Sequence, residues 1–160
     1  MSPPLIVLRP DDAARIASLH AAATDNHGWP VQDFRTMLSQ SAYMGFDVVD
    51  EKDDSLAAFL IAQKAVETSE LLMVATHPAH QRRGYARTLI RNLLKRLSER
   101  GVSRLLLDVA EDNLGAIELY KALEFAEDGR RSKYYRRGDK RVDALLMSRA
   151  ITGLRPAKKA

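Results

Sequence analysis

No cysteine occurs among the 160 residues. That excludes disulfides, a thiolate nucleophile and any cysteine-built metal site. No apolar run approaches the roughly 20 residues needed to span a bilayer. The opening Met1-Ser2-Pro3-Pro4-Leu5 lacks the basic and long apolar regions of a signal peptide, so a cytoplasmic location is expected. The four histidines, His20, His27, His77 and His80, show no ligand spacing with supporting acids, and no metal is expected. His77 and His80 flank Pro78 and are expected at the surface. Repeats and linkers are also missing. The expectation is one domain over residues 1–152, followed by a flexible basic tail over 153–160.

Hydrophobic residues make up 46% of the chain, enough for one real core. The net charge is +4, and the excess is concentrated in Arg130-Arg131-Ser132-Lys133-Tyr134-Tyr135-Arg136-Arg137 and in the tail. Such a balance favours an anionic ligand or work near nucleic acid, and a solvated basic face is the plainer alternative.

Periodicity gives the elements. Ile6 to Leu8 reads as a strand, and Asp11 or Asp12 caps a helix through His20 to Ala23. Asn26 to Pro30 is a loop, followed by a short helix with Phe34, Met37 and Leu38 on one side. Strands are predicted over Met44 to Val49 and Leu56 to Ile61, joined by the charged loop Asp50 to Asp54, and again over about Ser69 to Thr76. From Ala86 to Arg100, Ala86, Leu89, Ile90, Leu93, Leu94 and Leu97 form a stripe at the helical period. Leu105 to Val109 is an unbroken apolar run carrying one acid, which suits a strand covered on both faces. Strand, helix and strand make a βαβ unit with parallel neighbours. Asn113 caps a further helix with Tyr120 facing inward, and strands from Phe125 and over Val142 to Met147 close an α/β fold.

The richest stretch is Gln81-Arg82-Arg83-Gly84-Tyr85-Ala86, between a strand and the striped helix. A helix start leaves backbone N–H groups unpartnered and carries partial positive charge. Arg82, Arg83 and Arg87 add full charges, and Gly84 removes a Cβ where a ligand must come close. A pyrophosphate fits such a place; an ordinary strand-to-helix turn with surface arginines is the alternative.

With its element order, this stretch resembles the GNAT family of N-acetyltransferases, whose signature is Gln or Arg, two residues, Gly, one residue, Gly or Ala. Asp108 to Asn113, Ala116 to Tyr120, Leu123-Glu124-Phe125, Gly129 to Arg131, Tyr134-Tyr135 and Asp143 to Met147 are similar to one branch, the ribosomal-protein S18 alanine N-acetyltransferases. The resemblance implies a single-domain GNAT fold, a mixed central β-sheet flanked by helices. It also implies acetyl-CoA as co-substrate and a protein N-terminal α-amine as acceptor. The loop Gln81 to Ala86 with Arg87 would hold the pyrophosphate, and Val74, Ala75 and Thr76 the pantetheine arm. Asn113 would touch the cofactor, although an N-cap role explains it equally.

Asp108 matches the base position of the branch, where relatives carry glutamate. Acyl transfer needs a neutral amine, so a base must remove a proton, directly or through water. Among Leu105, Leu106, Leu107 and Val109 this acid should lose hydration; an acid paired with an arginine is the plainer reading. Tyr120, on the same helical face as Asn113 two turns on, matches the general acid and would also lie against the cofactor. Trp29, Tyr134 and Tyr135, with Asp108, would line the acceptor groove, and packing of aromatic bodies stays open for the three rings. Glu124 replaces a glycine usual after the helix, and some backbone strain is expected there. Direct attack in a ternary complex is the expected route; the absent thiol excludes an acetyl-enzyme on cysteine, although not on another nucleophile. Acetylation of a small amine or of a lysine side chain, or a non-catalytic acyl-CoA-binding or RNA-associated module, are the alternatives. No membrane contact and no direct nucleic-acid readout are expected, although the basic surface favours ribosome proximity. The expected state is a monomer or weak homodimer.

Overall fold

In a computed structural model, which describes residues 5–24 and 26–151, the apolar stripe becomes a buried helix face. The chain forms β1 Ile6–Val7, α1 Ala13–Ala23, α2 Val31–Leu38, β2 Tyr43–Val49, β3 Leu56–Gln63, β4 Thr68–Thr76, α3 Tyr85–Glu99, β5 Arg104–Ala110, α4 Leu114–Ala122, β6 Ala126–Arg137 and β7 Lys140–Ala150. Short 3-10 turns, Pro10–Asp12 and Pro78–His80, precede α1 and follow β4. In α3, Leu89, Ile90, Leu93, Leu94 and Leu97 are buried, while Arg91 and Lys95 face solvent. Burying each such leucine or isoleucine contributes roughly 1.5–3 kcal/mol, so packing of this face, more than helix propensity, holds α3.

The strands join in one seven-stranded mixed sheet of order β1-β2-β3-β4-β5-β7-β6. The β4–α3–β5 crossover gives the parallel pair predicted from the sequence, with Thr68–Leu71 opposite Arg104–Leu107. β7 runs antiparallel between β5 and β6. Two compact units form, Met1–Lys64 with Leu72–Leu93, and Ala65–Leu71 with Leu94–Ala160. In the first, Leu8, Ile16, Leu19, Phe34, Phe59 and Ile61 make a core on which Met37 and Leu38 pack. In the second, Leu105, Leu107, Val109, Ile117, Tyr120, Phe125, Leu145 and Met147 are buried.

Two sequence expectations need correction. β5 is not covered on both faces: burial alternates along Leu105 to Asp108, so Leu106 and Asp108 point to a half-exposed side. A period of two separates residues that a count of leucines merges. His80 is not a surface residue; it is 7% exposed and its Nε2 lies 2.9 Å from Ser55 Oγ. Glu124 does adopt the left-handed backbone expected to strain it, at φ 67°, with Arg149 donating to its carboxylate at 3.3 Å. The tail 153–160 lies outside the described residues.

Candidate active site

The first unit carries the loop between β4 and α3. The first intrahelical bond of α3 runs from Thr88 N–H to Gly84 O at 3.0 Å. The amides of Tyr85, Ala86 and Arg87 therefore precede it and have no intrahelical acceptor. Gly84 has φ +83°, and a Cβ built there would meet nothing within 4 Å. The glycine is thus required by backbone conformation, and the space beside it is open to a ligand. Gln81, Arg82 and Arg87 are exposed around it. Arg82 is also left-handed, at φ 63°, which costs a non-glycine residue roughly 1–2 kcal/mol. Arg83 is engaged by the protein: its Nη1 donates to Asp50 Oδ2 at 3.1 Å. Upstream, the β4–β5 ladder stops at Leu71–Leu107. It leaves out Val74, Ala75 and Thr76, whose backbone is the expected partner of the pantetheine amides.

Trp29, the single tryptophan, sits in the same unit and is 42% exposed. Its backbone N–H donates to His20 Nδ1 at 2.9 Å, and its ring meets His20 edge-on at 6.2 Å between centroids. The preceding Gly28 presses on α1 so closely that a Cβ would lie 2.6 Å from Ala21 N. Burial lowers the pKa of His20 below its usual 6.5, and Nδ1 can accept only in the neutral ring. The histidine's contribution is therefore complete above pH 6.5 and lost as pH falls through the lowered value. Trp29 fluorescence is expected to titrate with a midpoint below 6.5, and His20→Gln to abolish the transition. A midpoint above 6.5 would refute this account of the loop.

The second unit gathers Asp108, Tyr120, Tyr134 and Tyr135, and adds Glu70. Asp108 is not enclosed by its leucines: its side chain is 25% exposed and its Oδ2 is 3.8 Å from Arg131 Nε. Glu70 lies opposite Leu106 in the parallel register, hence on the same side as Asp108. Burial raises the Glu70 pKa, the Asp108 charge raises it further, and Arg131 opposes both. Tyr120 is 7% exposed. Its phenol is pushed up to about 12, mainly by burial and then by Tyr135. Tyr135 is itself raised by burial, then by Asp108 and Tyr134, against Arg137 and Arg131. Tyr120 and Tyr135 are thus linked electrostatically, as are Tyr135 and Asp108. The Tyr134 and Tyr135 rings meet edge to face at 5.1 Å. Arg131 lies over Tyr134 and Arg137 over Tyr135, at 5.5 and 5.8 Å from the centroids. Asn113 caps α4, accepting from Ala116 N–H at 3.3 Å.

The basic segment is largely neutralised by the protein's own acids. Arg130 pairs with Glu111, Glu127 and Asp143, Arg131 with Asp108, and Arg137 with Asp112 through two hydrogen bonds. No group of three or more metal-ligating side chains occurs among the described residues.

Sequence reasoning missed Glu70, His20, Asp50 and His80 as members of these clusters. An acid inside the apolar strand Glu70 to Ala75 was the available signal for Glu70. The others become visible only once strands and loops are paired.

Residues 14–125 match the model of the acetyltransferase (GNAT) family. The chain is 36% identical over 128 residues to the ribosomal protein bS18-alanine N-acetyltransferase of Escherichia coli, covering 79% of this chain and 84% of that protein. A putative enzyme of the same name from Bacillus subtilis is 26% identical, over 88% of this chain and 90% of that one. The crystal structure of the ribosomal-protein-S18-alanine N-acetyltransferase from Escherichia coli superimposes with a TM-score of 0.86 at 29% identity, over 96% and 97% of the two chains. Arabidopsis thaliana NAA60 in complex with acetyl-CoA shares the fold, with a TM-score of 0.78 at 20% identity over 94% and 99%. With the open loop at Gly84 and the acid–phenol cluster of the second unit, these likenesses lead to one conclusion: the chain belongs to the acetyltransferase (GNAT) family and is an N-acetyltransferase whose donor is acetyl-CoA.

Proposed function

We propose that the acceptor is the N-terminal α-amine of a protein, ribosomal protein S18, and that transfer is a direct attack in a ternary complex. The observation that carries this is the Glu70–Asp108 pair, with one carboxyl raised by burial and by its like-charged neighbour. An α-amine has a pKa of about 7.7–8.0 and a lysine side chain about 10.4. A carboxylate base lies below both, but the gap to the α-amine is smaller by about 2.5 units, or roughly 3.5 kcal/mol. A carboxylate base therefore serves an α-amine better than a lysine side chain. Likeness over 79% of the chain to an enzyme named for S18 supports the choice of that acceptor.

In this reading the loop Gln81 to Ala86 with Arg87 binds the pyrophosphate through amides and cations, and Val74 to Thr76 pair with the pantetheine arm. Asp108, a quarter exposed, meets the amine directly or through water and passes its proton toward Glu70. Tyr120 holds a proton for the departing thiolate. Trp29 in the first unit, and Tyr134 and Tyr135 in the second, are each assigned to contact with the acceptor in this reading. A ribosomal acceptor is consistent with a reaction in the cytoplasm. Among the described residues no helix is long and apolar enough to cross a membrane. The pairing of Arg130, Arg131 and Arg137 with acids argues against an RNA-binding role for that segment.

The test is a peptide panel incubated with acetyl-CoA and read by mass spectrometry. Peptides with the S18 N-terminus should gain one acetyl group on the α-amine, and N-terminally blocked copies none. Acetylation of lysine side chains or polyamines with no α-amine product would overturn the acceptor assignment.

A further inference from the structure

The β2–β3 hairpin contains a buried carboxylate that the reaction does not use. Asp50 is 4% exposed. Its Oδ1 accepts from Lys52 N–H at 2.8 Å, which fixes the carboxylate in its own turn. Its Oδ2 accepts from Arg83 Nη1 at 3.1 Å and from Tyr85 Oη–H at 3.0 Å. His80 Nδ1 is 3.4 Å from the same oxygen, while His80 Nε2 meets Ser55 Oγ, which donates to Asp53 Oδ1 at 2.6 Å. Arg83 and Tyr85 are the residues on either side of Gly84. Two side chains flanking the left-handed glycine therefore converge on one oxygen from a distant hairpin.

We propose that Asp50 is a positioning residue for the acyl donor: it fixes the Gln81–Ala86 loop so that the amides starting α3 face the donor's pyrophosphate. The loop needs such an anchor. Arg82 at φ 63° and Gly84 at φ +83° are both left-handed, and no regular ladder holds a backbone of that shape. A buried carboxylate accepting a guanidinium and a phenol gives charge-assisted, directional bonds. It also turns Arg83 toward the hairpin, which assigns the cationic phosphate contacts to Arg82 and Arg87. This rests on the pyrophosphate assignment of the loop made above.

The proposal separates donors with and without phosphates. With acetyl-CoA, Asp50→Asn is expected to raise KM by about tenfold or more, the equivalent of one lost charge-assisted hydrogen bond, with kcat near wild type. With S-acetylpantetheine, which lacks the pyrophosphate, the variant and the wild type should give equal kcat/KM. Tyr85→Phe, which deletes one bond to the same oxygen, should show the same selectivity to a smaller degree. Equal loss with both donors would mean fold damage and would overturn the proposal, as would no loss with either. A wild type that does not prefer acetyl-CoA over S-acetylpantetheine would overturn the loop assignment and this proposal with it. A wild type that does, beside an unaffected Asp50→Asn, would overturn this proposal alone.

Discussion

Tyr120→Phe is expected to lower kcat by about a hundredfold, the usual scale of losing a positioned general acid, and to leave acetyl-CoA affinity within about twofold, since one removed hydroxyl contributes little to uniform binding. Tyr120 is 7% exposed and its phenol is pushed up to about 12, so it is protonated at every working pH. A thiol pKa of about 8.5 makes full proton transfer to a free thiolate uphill by about 3.5 units, near 5 kcal/mol. In the proposed role Tyr120 therefore stabilises the departing thiolate by donating a hydrogen bond rather than by complete proton transfer. The sign of the shift gives a second readout. Because the acid form is the active one and its pKa is raised, no alkaline fall in kcat should arise from Tyr120 below about 12. Burial that strengthens the phenol's hold on its proton also widens the pH range over which it can serve. An unchanged kcat in Tyr120→Phe, measured at saturating acetyl-CoA, would leave Tyr120 as a core tyrosine packed 5.7 Å from Phe125.

What was legible in the sequence follows the range of each interaction. The stripe of α3 and the cap at Asn113 depend on neighbours within a few residues, and both occur where the spacing places them. The parallel β4–β5 pair follows from the length of the crossover alone. The environment of Asp108 differs from the expectation because Leu107 and Val109, next to it in sequence, point to the other face of the strand. Arg131, which does lie beside it, is brought there by β7 pairing with both β5 and β6. Glu70 was missed for the same reason: its nearness to Asp108 is set by strand register, which no local pattern encodes. The charged loop Asp50 to Asp54 is a hairpin turn as expected, yet Asp50 is buried against residues more than 30 positions away. A local reading finds turns and faces; it does not find which turn meets which loop.

Asp108→Asn is expected to reduce kcat/KM for an α-amine peptide by about a hundredfold. It should also shift the acidic limb of the pH profile in a direction that identifies the second carboxyl. Glu70 is raised by burial first, then by the Asp108 charge, with Arg131 opposing. Removing the negative neighbour relieves that repulsion, so Glu70 ionises at lower pH and the residual activity of Asp108→Asn should have an acid limb displaced downward. Arg131→Ala removes the opposing cation, so its acid limb should move upward. Two substitutions around one partly buried carboxyl thus give opposite displacements, a pattern that loss of folding would not mimic. Glu70→Gln should flatten the limb itself and lower kcat/KM, because the pair can then no longer relay a proton away from the amine. If the limb stays fixed in both Asp108→Asn and Arg131→Ala, Glu70 has no part in the titration. If Asp108→Asn also keeps full activity, the acid is a partner for Arg131 and the amine is deprotonated by solvent. At pH 7 an α-amine of pKa near 7.8 is already neutral in roughly one molecule in seven, so the base adds most below neutrality. Above the acid limb of the wild type, the Asp108→Asn defect should therefore deepen as the assay is moved from pH 8 down through the pKa of the amine.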